Sequence, residues 1–338
     1  MIERLGKGMS RAAREDVYIP ERDGNIEIEG DPKVIQALIH QAEYVDQGKE
    51  DPDTRVALFI LPGGIRGVSG GAEVTAIDDA GLTNGIKVVI GGSTGAHIGG
   101  WLLAGNPRLG TTIFSEECTT ADFIRKKRIL DGYGMDVEYL SQIYRGEAGH
   151  KKLDTERIKR AKPDFLIAAT EYETGKGVLL DGKQEPIIDK IEASSVAGPL
   201  YTKPVIIDNV RYGDASAGAY FPVQEVVNRY KPTHILVLAN HPKSAKVPFS
   251  AQAADYALSS VYLPTEYRKG WLAKEENYAQ GRHLLKESGI PYLMIYPDDA
   301  IQSLTQDAEK IRAAAVRAED HMRDLIDSQK IKSKSDLP

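Results

Sequence analysis

The sequence predicts an α/β fold of three layers, a central mostly parallel sheet with helices on both faces, from two observations. Short apolar runs of strand length alternate with stretches of helical periodicity, and the first of these runs, Arg55-Val56-Ala57-Leu58-Phe59-Ile60-Leu61, is apolar without interruption. Unbroken apolarity is the mark of a strand buried on both faces, and a β-α-β-α order places such strands in parallel. At 338 residues with 41% hydrophobic content, the chain can fill a sizeable core.

Residues 1–53 read as an N-terminal extension with a strand-like Asn25–Glu29 and an amphipathic helix from Asp31 to Gln47; the charged stretch 48–53 reads as a linker. The main domain is expected over 54–329. Its further strands are Ile86–Ile90, Phe165–Ala169, Pro204–Ile207, His234–Ala239 and Tyr292–Tyr296, and its helices Val68–Leu82, Ala96–Ala104, Thr155–Arg160, Val223–Tyr230 and Tyr278–Glu287. Near the C-terminus Leu304, Ala308, Ile311, Ala315, Ala318, Met322 and Leu325 share one helical face. The polar side of that helix mixes acids and bases, so packing on the domain is expected over lying on a membrane. A disordered tail is expected over 330–338.

The net charge of −6, with bases interleaved among acids, excludes an ordinary nucleic-acid binder and implies that any lipid contact is mainly apolar, not a polybasic patch. A single cysteine, Cys118, rules out an internal disulfide, and its acidic neighbours argue against a reactive thiolate. The stretch Met1–Glu15 is charged and lacks the apolar core of a signal peptide, and no apolar run is long enough to span a bilayer, so a soluble, cytoplasmic protein is expected, with peripheral membrane contact left open.

The sharpest local signal is Gly91-Gly92-Ser93-Thr94-Gly95-Ala96, between an apolar strand and a helix. Glycines two residues either side of a serine let the chain turn tightly and leave Oγ projecting above the sheet edge, where the helix N-terminus favours developing negative charge. A serine that merely caps the helix would not need so many small neighbours. The first strand ends in Pro62-Gly63-Gly64-Ile65-Arg66-Gly67, whose glycines expose successive N–H groups suited to an oxyanion. In a parallel sheet both loops emerge at the same carboxyl edge. A dinucleotide-binding loop fits poorly: Pro62 occupies its first glycine position, and the second strand ends in Gly91 instead of an acid.

Together these motifs resemble the patatin-like phospholipase family, whose pattern is a Gly-x-Gly-x-Arg-Gly loop, a Gly-x-Ser-x-Gly elbow and a later Asp-Gly-Gly or Asp-Gly-Ala. Phe165–Thr170 followed by Thr174-Gly175-Lys176 adds to the likeness, which runs from about Arg55 to Ile326. It implies a patatin-like fold, Ser93 as nucleophile and Asp214, in Asp214-Ala215-Ser216, as its only catalytic partner. It further implies an oxyanion hole drawn from Gly63, Gly64, Ile65, Arg66 and Gly67, a nucleophile elbow of Gly91, Gly92, Thr94 and Gly95, and no metal or cofactor. The substrate class implied is a fatty acyl ester of a phospholipid or related lipid. Two departures stand out: Pro62 replaces the first loop glycine, and Ala215 replaces the glycine after the aspartate, which alanine tolerates unless that position needs positive φ.

Arg66 is expected to brace its loop in preference to binding a lipid phosphate. Asp208 is a nearby rival to Asp214 but lacks small residues after it. A Ser-His-Asp esterase using His241 remains open, as does a catalytically silent lipid-binding protein of the same fold. His234, His283 and His97 are placed less suitably for a triad.

Overall fold

The computed structural model describes residues 26–49, 51–243, 249–298 and 300–335. The stretch Met1–Glu15 and Asn25 at the start of the expected first strand lie outside the described residues.

Nine strands form one sheet: β1 (Glu27–Gly30), β2 (Val56–Ile60), β3 (Ile86–Gly92), β4 (Asp164–Glu171), β5 (Gly177–Asp181), β6 (Val205–Ile207), β7 (Val210–Gly213), β8 (His234–Leu238) and β9 (Tyr292–Tyr296). Their spatial order is β1-β9-β8-β2-β3-β4-β7-β6, with β5 also paired to β4. The central five strands, β9-β8-β2-β3-β4, are parallel, and each edge is finished by antiparallel pairs. The sheet is therefore parallel where both faces are covered, as the uninterrupted apolar runs require.

Alternate residues of each central strand divide between two cores. Val56, Leu58 and Ile60 of β2 pack with the helices Lys33–Asp46, Gly67–Asp79, Thr94–Leu103 and Ala308–Ser335, while Ala57, Phe59 and Leu61 pack with Phe221, Val226, Tyr278 and Leu285 on the other face.

The expected N-terminal extension is, over residues 26–49, part of this body. β1 pairs with β9, and Val34, Ile35 and Leu38 of helix Lys33–Asp46 are fully buried in the first core, because the helix has an apolar face too wide to leave in water. At the other end, helix Ala308–Ser335 runs six residues, 330–335, into the tail expected to be disordered. Nothing between Ile326 and Ser335 is a proline or glycine that would stop it. Its buried Ile311, Ala314, Met322 and Ile326 lie in the first core, and Glu319 is gripped by both terminal guanidinium nitrogens of Arg108 at 3.0 and 3.1 Å. Leu304 precedes this helix and is exposed, so it is not part of the expected face. No described helix is long and apolar enough to cross a membrane.

Candidate functional site

The turns after β2, β3 and β8 meet at the carboxyl edge of the sheet, where strand order leads the chain to opposite sides of β2. Asn240, just past β8, ties them together: its Nδ2 donates to the Leu61 carbonyl at 2.8 Å, and its Oδ1 accepts the Gly70 N–H at 3.2 Å.

Ser93 is the residue between β3 and helix Thr94–Leu103, and it sits at φ 52°, ψ −124°. A non-glycine residue with positive φ is strained and persists only where its surroundings hold it. Here the Ser93 N–H donates to Ser194 Oγ at 2.8 Å, and Ser194, fully buried, donates on to the Ala168 carbonyl of β4 at 2.6 Å. The small residues around Ser93 allow the helix to start against the neighbouring strand: a Cβ on Gly95 would lie 1.9 Å from the Ile60 carbonyl oxygen.

Asp214 follows β7 and is buried. Its Oδ1 accepts the Ser216 N–H at 2.8 Å, and the hydroxyls of Ser216 and Ser93 are close enough to stabilise its ionised form. Its own backbone is pinned on both sides, N–H to the Val196 carbonyl at 3.1 Å and carbonyl from Thr170 Oγ1 at 2.7 Å. Burial pushes the Asp214 carboxyl above the usual carboxylate range, opposed by the Ser216 N–H bond, the neighbouring Ser216 and Ser93 hydroxyls and the Lys274 charge. Ala215 begins the short helix Ala215–Gly218 and is not among the positive-φ residues, so alanine fits there without strain. Asp208, the rival, lies in the turn between β6 and β7 at φ 50°.

The glycine loop after β2 closes into a single 3₁₀ turn, Gly64–Arg66, with Gly64 at φ +61°. This turn uses two of the N–H groups expected to face an oxyanion. The Ile65 N–H donates to the Ser303 carbonyl at 3.0 Å and the Gly67 N–H to the Gly64 carbonyl, so these two residues leave the expected donor set. Among the described residues the Gly63 and Gly64 N–H groups have no backbone acceptor, and Thr94, first in its helix, has none within it. Arg66 Nε donates to the Gly63 carbonyl at 3.3 Å, which braces the loop; burial lowers the guanidinium's pKa, with Tyr220 and Glu275 acting against that.

Ser93, Thr94 and Gly64 form part of the wall of a narrow cavity of about 60 Å³. The rest of the wall is mostly apolar and comes from helices Thr94–Leu103, Pro107–Glu116 and Val137–Arg145 and the loop before the last of these: Ile98, Trp101, Phe114, Phe123, Leu140 and Tyr144. A polar chain crosses this wall, with His97 Nδ1 2.8 Å from Tyr144 Oη and His97 Nε2 2.9 Å from Ser195 Oγ. Burial depresses the His97 pKa to about 4, so the imidazole is neutral near pH 7 and holds its neighbours in place. Cys118, also in the wall, is buried and its thiol pKa is raised by that burial and by Glu117. Next to Cys118 in sequence, Glu116 and Glu117 bind the buried Lys151 at 2.5 and 2.6 Å.

The structure does not bring His241 to the serine. Its Nδ1 lies 2.9 Å from the Pro242 carbonyl, and the charges acting on it are Arg66 and Glu275, not Asp214. His283 pairs with Glu287 on an exposed helix face, and His234 with Thr233. Among the described residues no three His, Cys, Asp or Glu side chains converge as metal ligands. Sequence reasoning missed Ser194, Ser195 and Asn240, which hold the site through contacts distant along the chain.

No family model matches the chain, and no curated protein matches its sequence. Among solved structures, VipD from Legionella pneumophila aligns at 11% identity and TM-score 0.38, covering 95% of this chain and 73% of VipD. A chain of the complex between full-length SpcU and full-length ExoU, from the type III secretion system of Pseudomonas aeruginosa, aligns at 12% identity and TM-score 0.31, covering 72% of this chain and 55% of that one. A second structure of the ExoU–SpcU heterodimer gives 14% identity and TM-score 0.32, with 80% and 60% covered. The chain thus spans between about half and three quarters of the lengths it aligns with, and at these scores the likeness adds nothing to the geometry of the site.

Proposed function

We propose that the protein is a serine acyl hydrolase of the patatin-like phospholipase type, with Ser93 as nucleophile, Asp214 as base and a fatty acyl ester of a phospholipid or lysophospholipid as substrate. The observation that carries this reading is the position of Ser93, held at positive φ, beside a buried aspartate and in the wall of an apolar cavity.

In the first step Ser93 Oγ attacks the ester carbonyl carbon as its proton passes to the Asp214 carboxylate. The negative charge that forms on the carbonyl oxygen is met by the N–H groups of Gly64 and Thr94, with Gly63 adjacent. Collapse of the tetrahedral species breaks the ester C–O bond, and the alcohol leaves with the proton held by Asp214. Water then attacks the acyl-enzyme, giving up its proton to Asp214, and the fatty acid departs as Ser93 regains its hydrogen. A carboxylate is a weak base at its ordinary pKa near 3.9. Burial of Asp214 corrects this by raising its affinity for the proton, and the neighbouring Ser93 hydroxyl supplies that proton. The cavity supplies the apolar surface that an acyl chain needs to leave its lipid surroundings.

The test is ester hydrolysis across acyl chain lengths with wild type and Ser93→Ala side by side, together with labelling by a fluorophosphonate. Wild type should label on Ser93 and turn over long-chain esters, and Ser93→Ala should lose roughly 10⁴-fold or more in kcat and all labelling. A folded wild type that neither labels nor hydrolyses any ester would leave a silent lipid-binding protein in its place.

A further inference from the structure

The turn that joins Phe123 to Val137 has two faces with different chemistry. Its stem, closed by an Ile124–Met135 bridge, carries Phe123 and Met135 into the cavity wall. Its outer part carries Leu130, 75% exposed, beside Tyr133, which is also exposed. An apolar side chain of that size left in water at the tip of a turn, when the stem is well packed, has no role in holding the fold.

The same turn contains the run Arg125-Lys126-Lys127-Arg128, four consecutive cations in a chain of net charge −6. Arg125 is drawn back to Asp136 at 3.0 Å, whereas Lys127 and Arg128 are exposed next to Leu130. Arg128 lies 5.0 Å from the centre of the Tyr133 ring and only loosely faces Asp131, at 3.9 Å. The overall charge of −6 does not reveal this local run of bases.

A second element extends the surface. The Tyr262 hydroxyl donates to the Leu130 carbonyl and joins the tip of the turn to the end of helix Phe249–Tyr262. Ala253, Ala257 and Val261, four residues apart on that helix, are all exposed, as is Tyr256, with Val261 at 74%. An apolar helical stripe facing outward, joined to a turn with an exposed leucine and two outward cations, is the arrangement that buries its apolar groups among acyl chains while its bases meet anionic headgroups.

We propose that the tip of the 124–135 turn and the outward stripe of helix Phe249–Tyr262 form a docking surface for an anionic lipid–water interface, placing the cavity where it can receive an acyl chain. The substrate side of this proposal rests on the hydrolase reading above, but the docking itself does not require catalysis.

The experiment is flotation of the full chain with vesicles of phosphatidylcholine alone or with about 30 mol% phosphatidylserine, alongside hydrolysis of a monomeric short-chain ester. Wild type should float with the phosphatidylserine vesicles, more weakly with phosphatidylcholine, and be partly released as salt rises above about 0.1 M. Lys127→Gln with Arg128→Gln should weaken binding to the anionic vesicles about 25-fold. Leu130→Ser and, separately, Val261→Gln should each weaken it about 10-fold on both vesicle types. All of these variants should hydrolyse the monomeric ester as wild type does, which also shows that they are folded. Wild type that ignores phosphatidylserine, or variants that float like wild type, would overturn the docking surface and point to a protein partner instead. Normal flotation by a wild type with no esterase activity would instead defeat the hydrolase reading and leave docking standing.

Discussion

The turn after β2 and the turn after β3 are neighbours on one sheet edge, and both pass through positive φ, but the first does so at Gly64 and the second at Ser93. Glycine takes that conformation freely, whereas a serine there costs of order 1–3 kcal/mol. The difference follows from what each turn presents. The Gly64 turn offers backbone N–H groups, so it needs no side chain, and a Cβ on Gly64 would come within 2.7 Å of the Ser303 carbonyl oxygen. The Ser93 turn offers a hydroxyl, so the strain cannot be relieved by glycine without removing that hydroxyl. Ser194 Oγ, which accepts the Ser93 N–H, is the contact that keeps Ser93 in place.

This contrast can be tested from both sides. Gly64→Ala adds a Cβ at a position that disfavours one and displaces the N–H groups beside it, so kcat should fall about 10²-fold with little change in KM. Unchanged turnover in a folded Gly64→Ala variant would show that the first turn does not contact the oxyanion.

The pH dependence addresses the second turn. Asp214 must be ionised to accept the serine proton, and burial raises its pKa, so the acid limb of kcat/KM should have its midpoint above the ordinary aspartate value near 3.9. For stability the sign is opposite. The folded form holds the Asp214 proton more tightly than the unfolded chain, so its contribution is fully present below the unfolded pKa and is lost as pH rises through the raised folded one. Asp214→Asn should therefore unfold at a higher temperature than wild type at neutral pH; a lower one would mean that the Asp214 hydrogen bonds outweigh its desolvation.

The smallest effect concerns strain alone. Ser93→Gly and Ser93→Ala both lose the hydroxyl, but only glycine accepts φ 52° without cost, so Ser93→Gly should be the more stable of the two by about 1 kcal/mol in denaturant unfolding. Equal stability would indicate that the turn relaxes once the serine hydroxyl is gone.

Much of the central sheet could be read in the sequence because β2, β3, β4, β8 and β9 are continuous apolar runs and their pairing follows from burial on both faces. The strands β5 and β7 escaped notice, being short and antiparallel, with Gly177–Asp181 half-exposed and Val210–Gly213 carrying an arginine and a tyrosine. The cavity wall was also unreadable. Helix Pro107–Glu116 begins at an Asn-Pro pair that looks like a turn, and helix Val137–Arg145 has only nine residues, too few to establish a period. Ser93 and Asp214 stood out by the glycines and alanines around them. Ser194 and Asn240 carry no such local mark, since a lone serine or asparagine is defined as a support only by the distant backbone it meets.

The central claim is that Asp214 alone takes the proton from Ser93, and the rates of ester hydrolysis by Asp214→Asn and His241→Ala, each confirmed to be folded, test it most directly. Asparagine preserves the size of the side chain and can still face Ser93, but it cannot accept a proton at neutral pH, so activity should fall by about 10³-fold or more. His241, engaged with Pro242 and remote from Asp214 in its electrostatic contacts, should be replaceable by alanine with a change of no more than about threefold. An Asp214→Asn enzyme that remains active beside an inactive His241→Ala would contradict the dyad and assign the proton to the histidine.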